Sequence, residues 1–123
     1  MMSFVATAGA AEELEDLNTF AVVLAERSDG SGSRLEIQRA LTFDEADRQS
    51  GMDTYCLCTH TGATHYGGVK SWQKNGDKLE LLLDAEAADE LGIDVNVSIE
   101  LRMAEDNVDI VLAGLRRVLA TAQ

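Results

Sequence analysis

Residues 51–69 read GMDTYCLCTHTGATHYGGV, and the folding of this stretch decides how the rest of the chain can be arranged. Residues 52–60 favour an extended chain, with Tyr55, Cys56, Leu57, Cys58 and Thr59 running together. Thr61, Gly62, Ala63 and Thr64 form a loop. Tyr66-Gly67-Gly68-Val69 then enters a second strand through two residues that accept φ angles other side chains resist. A glycine pair in that position marks a bulge or a close backbone approach. The stretch therefore predicts two strands and a turn, placed at the middle of the strand order in sequence.

Working toward the N-terminus, residues 34–41 alternate, with Leu35 and Ile37 inward and Glu36 and Gln38 outward, the pattern of a half-exposed strand. Residues 20–26 are apolar on both faces and belong in a sheet interior. The Gly/Ser segment between them, residues 29–33, has linker composition but is too short to separate domains. Residues 10–16 are acidic and read as a turn or a frayed helical turn, and residues 2–7 as a weak first strand. Thr42 or Asp44 can cap one or two helical turns that Gly51 stops.

Toward the C-terminus, Asn75-Gly76 between residues 69–73 and 78–83 has the composition of a two-residue type I′ hairpin. Leu79, Leu81 and Leu83 bury one face. Asp84 caps a helix over residues 85–91 that ends at Gly92, and residues 94–102 form a one-sided strand through Val95, Val97, Ile99 and Leu101. From Glu105 the period becomes helical, with Val108, Val111, Leu112, Leu115, Val118 and Leu119 on one stripe, acids at its start and Arg116 and Arg117 near its end. The expected fold is α+β: a mainly antiparallel β-sheet of six to eight strands, with a short helix and a C-terminal helix packed on it.

At 123 residues, with 46% hydrophobic and 26% charged residues, the chain suits one globular domain over residues 1–123. Its formal charge of −12 opposes binding to nucleic acid or to an anionic membrane, and favours a basic protein partner. A homo-oligomer stays compatible with this composition. The first residues lack the basic start of a secretory signal, and no apolar run reaches the roughly 20 residues needed to span a bilayer. Cys56 and Cys58 are too close in sequence for an ordinary structural disulfide and read as reduced thiols, so a cytoplasmic location is expected.

Cys56, Cys58 and His60 occupy alternate strand positions, and His65 follows across the loop, so a small Cys/His metal-binding protein or hydrolase-like enzyme is the competing reading. The spacing argues against it. Neighbouring same-face positions on a straight strand converge poorly on one tetrahedral ion, and no orienting Asn or Asp or oxyanion loop can be assigned to a thiol nucleophile. The expectation is therefore no enzyme, no cofactor and no metal. Two acidic clusters remain: Glu12, Glu13, Glu15 and Asp16, and Asp44, Glu45 and Asp47. Either can be a solvated face or an electrostatic surface for a basic partner. The predicted partner-binding residues are Asp44, Glu45, Asp47 and Asp53, with Tyr66 beside the glycine pair.

Leu41-Thr42-Phe43-Asp44-Glu45-Ala46-Asp47, then Gly51-Met52-Asp53-Thr54-Tyr55, then Tyr66-Gly67-Gly68-Val69 together resemble the immunity protein 10 family of bacterial polymorphic toxin systems. The similarity continues through Leu79-Glu80-Leu81 and Ala87-Ala88-Asp89-Glu90-Leu91-Gly92, covering roughly residues 34–102. It leaves out the first thirty residues and the Cys-Leu-Cys-Thr-His run. The resemblance implies a small cytoplasmic protein that binds and neutralises a cognate toxin domain without catalysis. A basic nuclease domain is the toxin class that the charge of the chain would suit.

Overall fold

The computed structural model describes residues 2–120. Its strands are β1 (Met2–Ala6), β2 (Ala8–Leu14), β3 (Thr19–Ala25), β4 (Arg34–Ala40), β5 (Cys56–Thr59), β6 (Thr64–Tyr66), β7 (Val69–Asn75), β8 (Lys78–Leu83) and β9 (Asn96–Leu101). The helices are α1 (Glu45–Gln49), α2 (Ala85–Leu91) and α3 (Glu105–Val118), and a single 3-10 turn spans Glu15–Leu17. The fold is α+β and mainly antiparallel, as expected. The nine strands form two sheets rather than one, in the orders β1-β9-β8-β7 and β2-β3-β4-β5-β6, and the one parallel pairing is β1 with β9. None of the described helices is long and apolar enough to cross a membrane.

Alternation explains the first sheet. Leu79, Leu81 and Leu83 of β8 face inward beside Val97, Ile99 and Leu101 of β9 and Phe4 and Ala6 of β1, and all eight are buried. In the second sheet, β3 lies between β2 and β4, with Val22 opposite Ile37 and Leu24 opposite Leu35. Both sheets and both longer helices contribute to one hydrophobic core that includes Tyr55, Leu57, Leu91, Val111, Leu115 and Val118. The capping residues read from the sequence hold: Asp84 accepts from the Ala87 N–H at 2.8 Å, and Gly92 closes α2 at φ +69°.

Three expectations are corrected. Residues 10–16 are not a turn. Residues 8–14 form β2, which pairs with β3 over its whole length. Its run of small residues gives no hydrophobic alternation, yet it is what lets α3 approach. A Cβ on Gly114 would stand 2.6 Å from Ala11 Cβ and 3.0 Å from Val22, and one on Gly9 would stand 2.9 Å from Val111. Next, the hairpin turn is Gly76-Asp77, because Asn75 pairs with Lys78. Only Gly76 has positive φ, +61°, which is the pattern of a type II′ turn with glycine first rather than type I′.

The largest correction concerns the opening stretch. Residues 52–55 are not strand, and the glycine pair does not sit within one. It lies between β6 and β7, where the chain leaves one sheet for the other. Gly67 and Gly68 take φ of +73° and +101°, a region that favours glycine. The Gly67 N–H donates to the Tyr55 carbonyl at 2.9 Å, and the Val69 N–H donates to the Tyr55 hydroxyl at 2.9 Å. The Asp84 N–H donates to the Gly68 carbonyl at 2.9 Å, tying the same junction to the start of α2. A bulge follows between Val69 and Ser71.

Glycine-to-alanine substitutions separate these contacts by sign. In an open helix such a change stabilises by about 1 kcal/mol. Gly114→Ala should instead lower the thermal midpoint, since overpacking costs about 1–3 kcal/mol. Gly68→Ala, where φ is +101° and the new Cβ would meet Ala87 at 2.5 Å, should cost more than Gly92→Ala, where φ is +69°, in the left-handed helical region, and nothing lies within 4 Å. Thermal unfolding of the three variants checks the order.

Candidate partner-binding surface

The segment that supplies the predicted acids is built by local capping. Asp44 is extended at φ −98° and ψ −180°, its Oδ1 accepts from the Asp47 N–H at 2.8 Å, and Asp47 Oδ2 accepts from the Asp44 N–H at 3.0 Å. This reciprocal box satisfies two helix-end donors and fixes both carboxylates on a helix of a single turn and a half. The Ser50 hydroxyl donates to the Ala46 carbonyl at 2.8 Å, Gly51 turns the chain at φ +77°, and the Met52 N–H returns to the Asp47 carbonyl at 2.8 Å. Met52 is thereby held against α1 with its side chain exposed. Beneath the segment, the Arg39 guanidinium lies 5.6 Å from the Phe43 ring and donates to the Ala120 carbonyl.

Register decides what lies beside α1. Helix α3 covers the face of the second sheet that carries Phe20 and Val22. Val22, Ile37, Leu57 and His65 sit opposite one another across four strands and share that inner face. Gln38, Cys56 and Tyr66, also in register, therefore share the outer one. Where this outer face meets α1 there is a shallow depression of about 170 Å³, lined among others by Asp47, Met52, Thr54, Gln38, Cys56 and Tyr66. Met52 and Tyr66 are each 44% exposed. Two large side chains with apolar surface thus stand open beside carboxylates oriented by their own cap.

The structure brings Asp47 and Tyr66 to one depression and couples Asp44 to Asp47 through the cap. Glu45 is exposed in the first turn of α1, and Asp53 is half-exposed in the loop that follows Met52. Neither lines the depression. The sequence does not single out Met52, Thr54 or Gln38: residues 52–55 read as strand, and Gln38 as an ordinary outward position. The other acidic cluster ends in the 3-10 turn, whose closing residue Asn18 accepts from the Leu41 N–H and donates to the Thr42 carbonyl at the entry to the α1 segment; Leu17 there is 70% exposed, and Glu13 accepts from Arg117 at 2.7 Å.

The Cys/His quartet does not assemble. Cys56 and Cys58 share the outer face with Sγ atoms 3.9 Å apart. His60 lies exposed in the turn after β5, while His65 is on the inner face, paired with Glu90 at 2.8 Å. Among the described residues no group of three or more His, Cys, Asp or Glu side chains is placed to hold a metal ion. Burial, with the neighbouring Cys56 thiol next, pushes the Cys58 thiol up to about 12, the opposite of what a thiolate nucleophile requires.

The family whose model matches the chain is described as immunity protein 10, over residues 5–109. The match begins at residue 5, so β2, β3 and the end of β1, which the resemblance read from the sequence left out, are part of it. No curated protein and no solved structure matches the chain.

The state of Cys58 has a measurable consequence. Its thiol stays protonated in the folded protein at a pH where the unfolded thiol, with an ordinary value of 9.0, ionises. Unfolding then releases a proton, so stability should fall as pH rises above about 9 and go on falling toward 12. Burial likewise raises Tyr55 above its ordinary 10.0, adding to the loss at the alkaline end. Denaturant unfolding at pH 7 to 10 checks this: Cys58→Ser should flatten the early part of the decline relative to the unsubstituted chain.

Proposed function

The chain belongs to the immunity protein 10 family, and from that premise we propose that it binds a cognate bacterial toxin domain by direct contact and neutralises it without catalysis. The match over residues 5–109 is the observation that carries this reading. Charge supports a particular kind of partner. A chain of net charge −12 is drawn to a basic surface, and a nuclease domain must carry one to hold phosphates. In this reading the toxin is a basic nuclease domain and the meeting takes place in the cytoplasm, with neither nucleic acid nor membrane as a direct target.

The interface we assign is the α1 surface: Asp44, Glu45, Asp47 and Asp53 with Tyr66 beside them. Fixed carboxylates on a capped turn lose little freedom on binding, and an exposed tyrosine supplies contact area at low entropic cost.

Association kinetics with the toxin domain encoded beside this gene test the assignment. Glu45→Lys combined with Asp53→Lys should slow association by about tenfold at low ionic strength and much less at high salt, where exposed charges are screened. Asp44→Ser removes a charge while keeping a good N-cap, so its smaller effect should come without loss of stability. Association rates unchanged by both variants would move the interface elsewhere, and a toxin domain of neutral or acidic surface would remove the nuclease reading.

A further inference from the structure

The depression between α1 and β6 has more unused hydrogen-bond acceptors than donors. Asp47 Oδ2 is held by the Asp44 N–H, which fixes the carboxylate, and Asp47 Oδ1 has no partner among the described residues. The Gln38 amide nitrogen donates to Glu36 at 3.0 Å, leaving the Gln38 carbonyl oxygen free as an acceptor. The Thr54 and Tyr66 hydroxyls, also unpartnered among the described residues, can accept as well. Arg39 borders the depression, but its guanidinium is engaged with Ala120 and Phe43 and does not neutralise the acceptors.

A ligand that satisfies this set is cationic, carries donors only, and offers a flat apolar face to the Tyr66 ring and Met52. An anionic group is opposed by Asp47. An amide brings at most two donors and no charge to set against Asp47. The volume, about 170 Å³, falls below the roughly 300–1,000 Å³ of small-molecule sites and suits a single side chain. Guanidinium has five donors in one plane, no acceptor, and stacks on aromatic rings, whereas ammonium is a compact point charge. We infer that this depression is the seat of an arginine side chain presented by the partner protein, paired with Asp47 and laid against Tyr66. The inference rests on the immunity reading for its partner, and goes beyond it in naming the group recognised.

Two measurements separate the seat from that reading. In the complex with the toxin domain, Asp47→Asn keeps an oxygen for the Asp44 cap and loses the charge. Dissociation should become at least about tenfold faster, and one arginine of the toxin, changed to alanine, should lose its effect in the Asp47→Asn background. Independently, arginine amide titrated into the isotope-labelled chain should shift the resonances of the Gln38 side-chain amide, Thr54 and Tyr66, lysine amide should shift them less, and Asp47→Asn should abolish the response. A complex whose dissociation changes less than about twofold in both Asp47→Asn and Tyr66→Ala overturns the seat, as does an arginine titration that leaves those resonances in place. A toxin domain that forms no complex defeats the immunity reading, and the arginine titration then decides the seat by itself.

Discussion

Tyr55 holds together the point at which the chain passes from one sheet to the other. Its carbonyl and its hydroxyl each take one N–H of the glycine turn, from Gly67 and Val69, while the Asp84 N–H closes on Gly68 from the far side. With 7% of its surface exposed, the tyrosine is part of the core, so the clamp is made in a place where an unpaired amide would cost about 1–3 kcal/mol. Gly68 completes it: with Ala87 at 2.5 Å and His65 at 3.1 Å from a would-be Cβ, no larger residue fits. The junction delivers β7 to the other sheet, and both sheets contribute to one core.

The exposed chemistry follows from the same junction. Once Leu57 is inward in the core, Cys56, Cys58 and Tyr66 must be outward, and His65 must be inward against Glu90. The alternation that makes a Cys/His cluster look possible in one strand divides it when the neighbouring strand is added. The outer face is then free to carry Tyr66 next to α1, whose own carboxylates are oriented by their mutual cap. The candidate surface and the core lie on different sides of one strand pair.

Much of this was legible in the sequence. The alternation of Leu79, Leu81 and Leu83 and of Val97, Ile99 and Leu101, the caps at Asp44, Asp84 and Gly92, and the stripe of α3 follow from local rules that tertiary structure did not override. What stayed hidden depends on contacts distant in sequence. Strand β2 shows no alternation, because Gly9 and Ala11 on its inner face are small where α3 comes close, and no large apolar side chain marks that face. A Gly-Gly pair reads equally as a bulge and as a passage between sheets, and only the Tyr55 hydroxyl decides. At the candidate site, Asp47 and Tyr66 were individually visible as an acid and an aromatic. Their meeting requires the register of β4, β5 and β6, which sets Gln38 and Tyr66 on either side of Cys56, and no periodicity encodes that.

Growth of cells expressing the proposed cognate toxin domain, with and without this chain, tests the central claim most directly. The expected result is arrest by the domain alone, relief when the chain is co-expressed, and recovery of the two as one tight complex. Arrest that persists while the chain is abundant and folded would contradict the account.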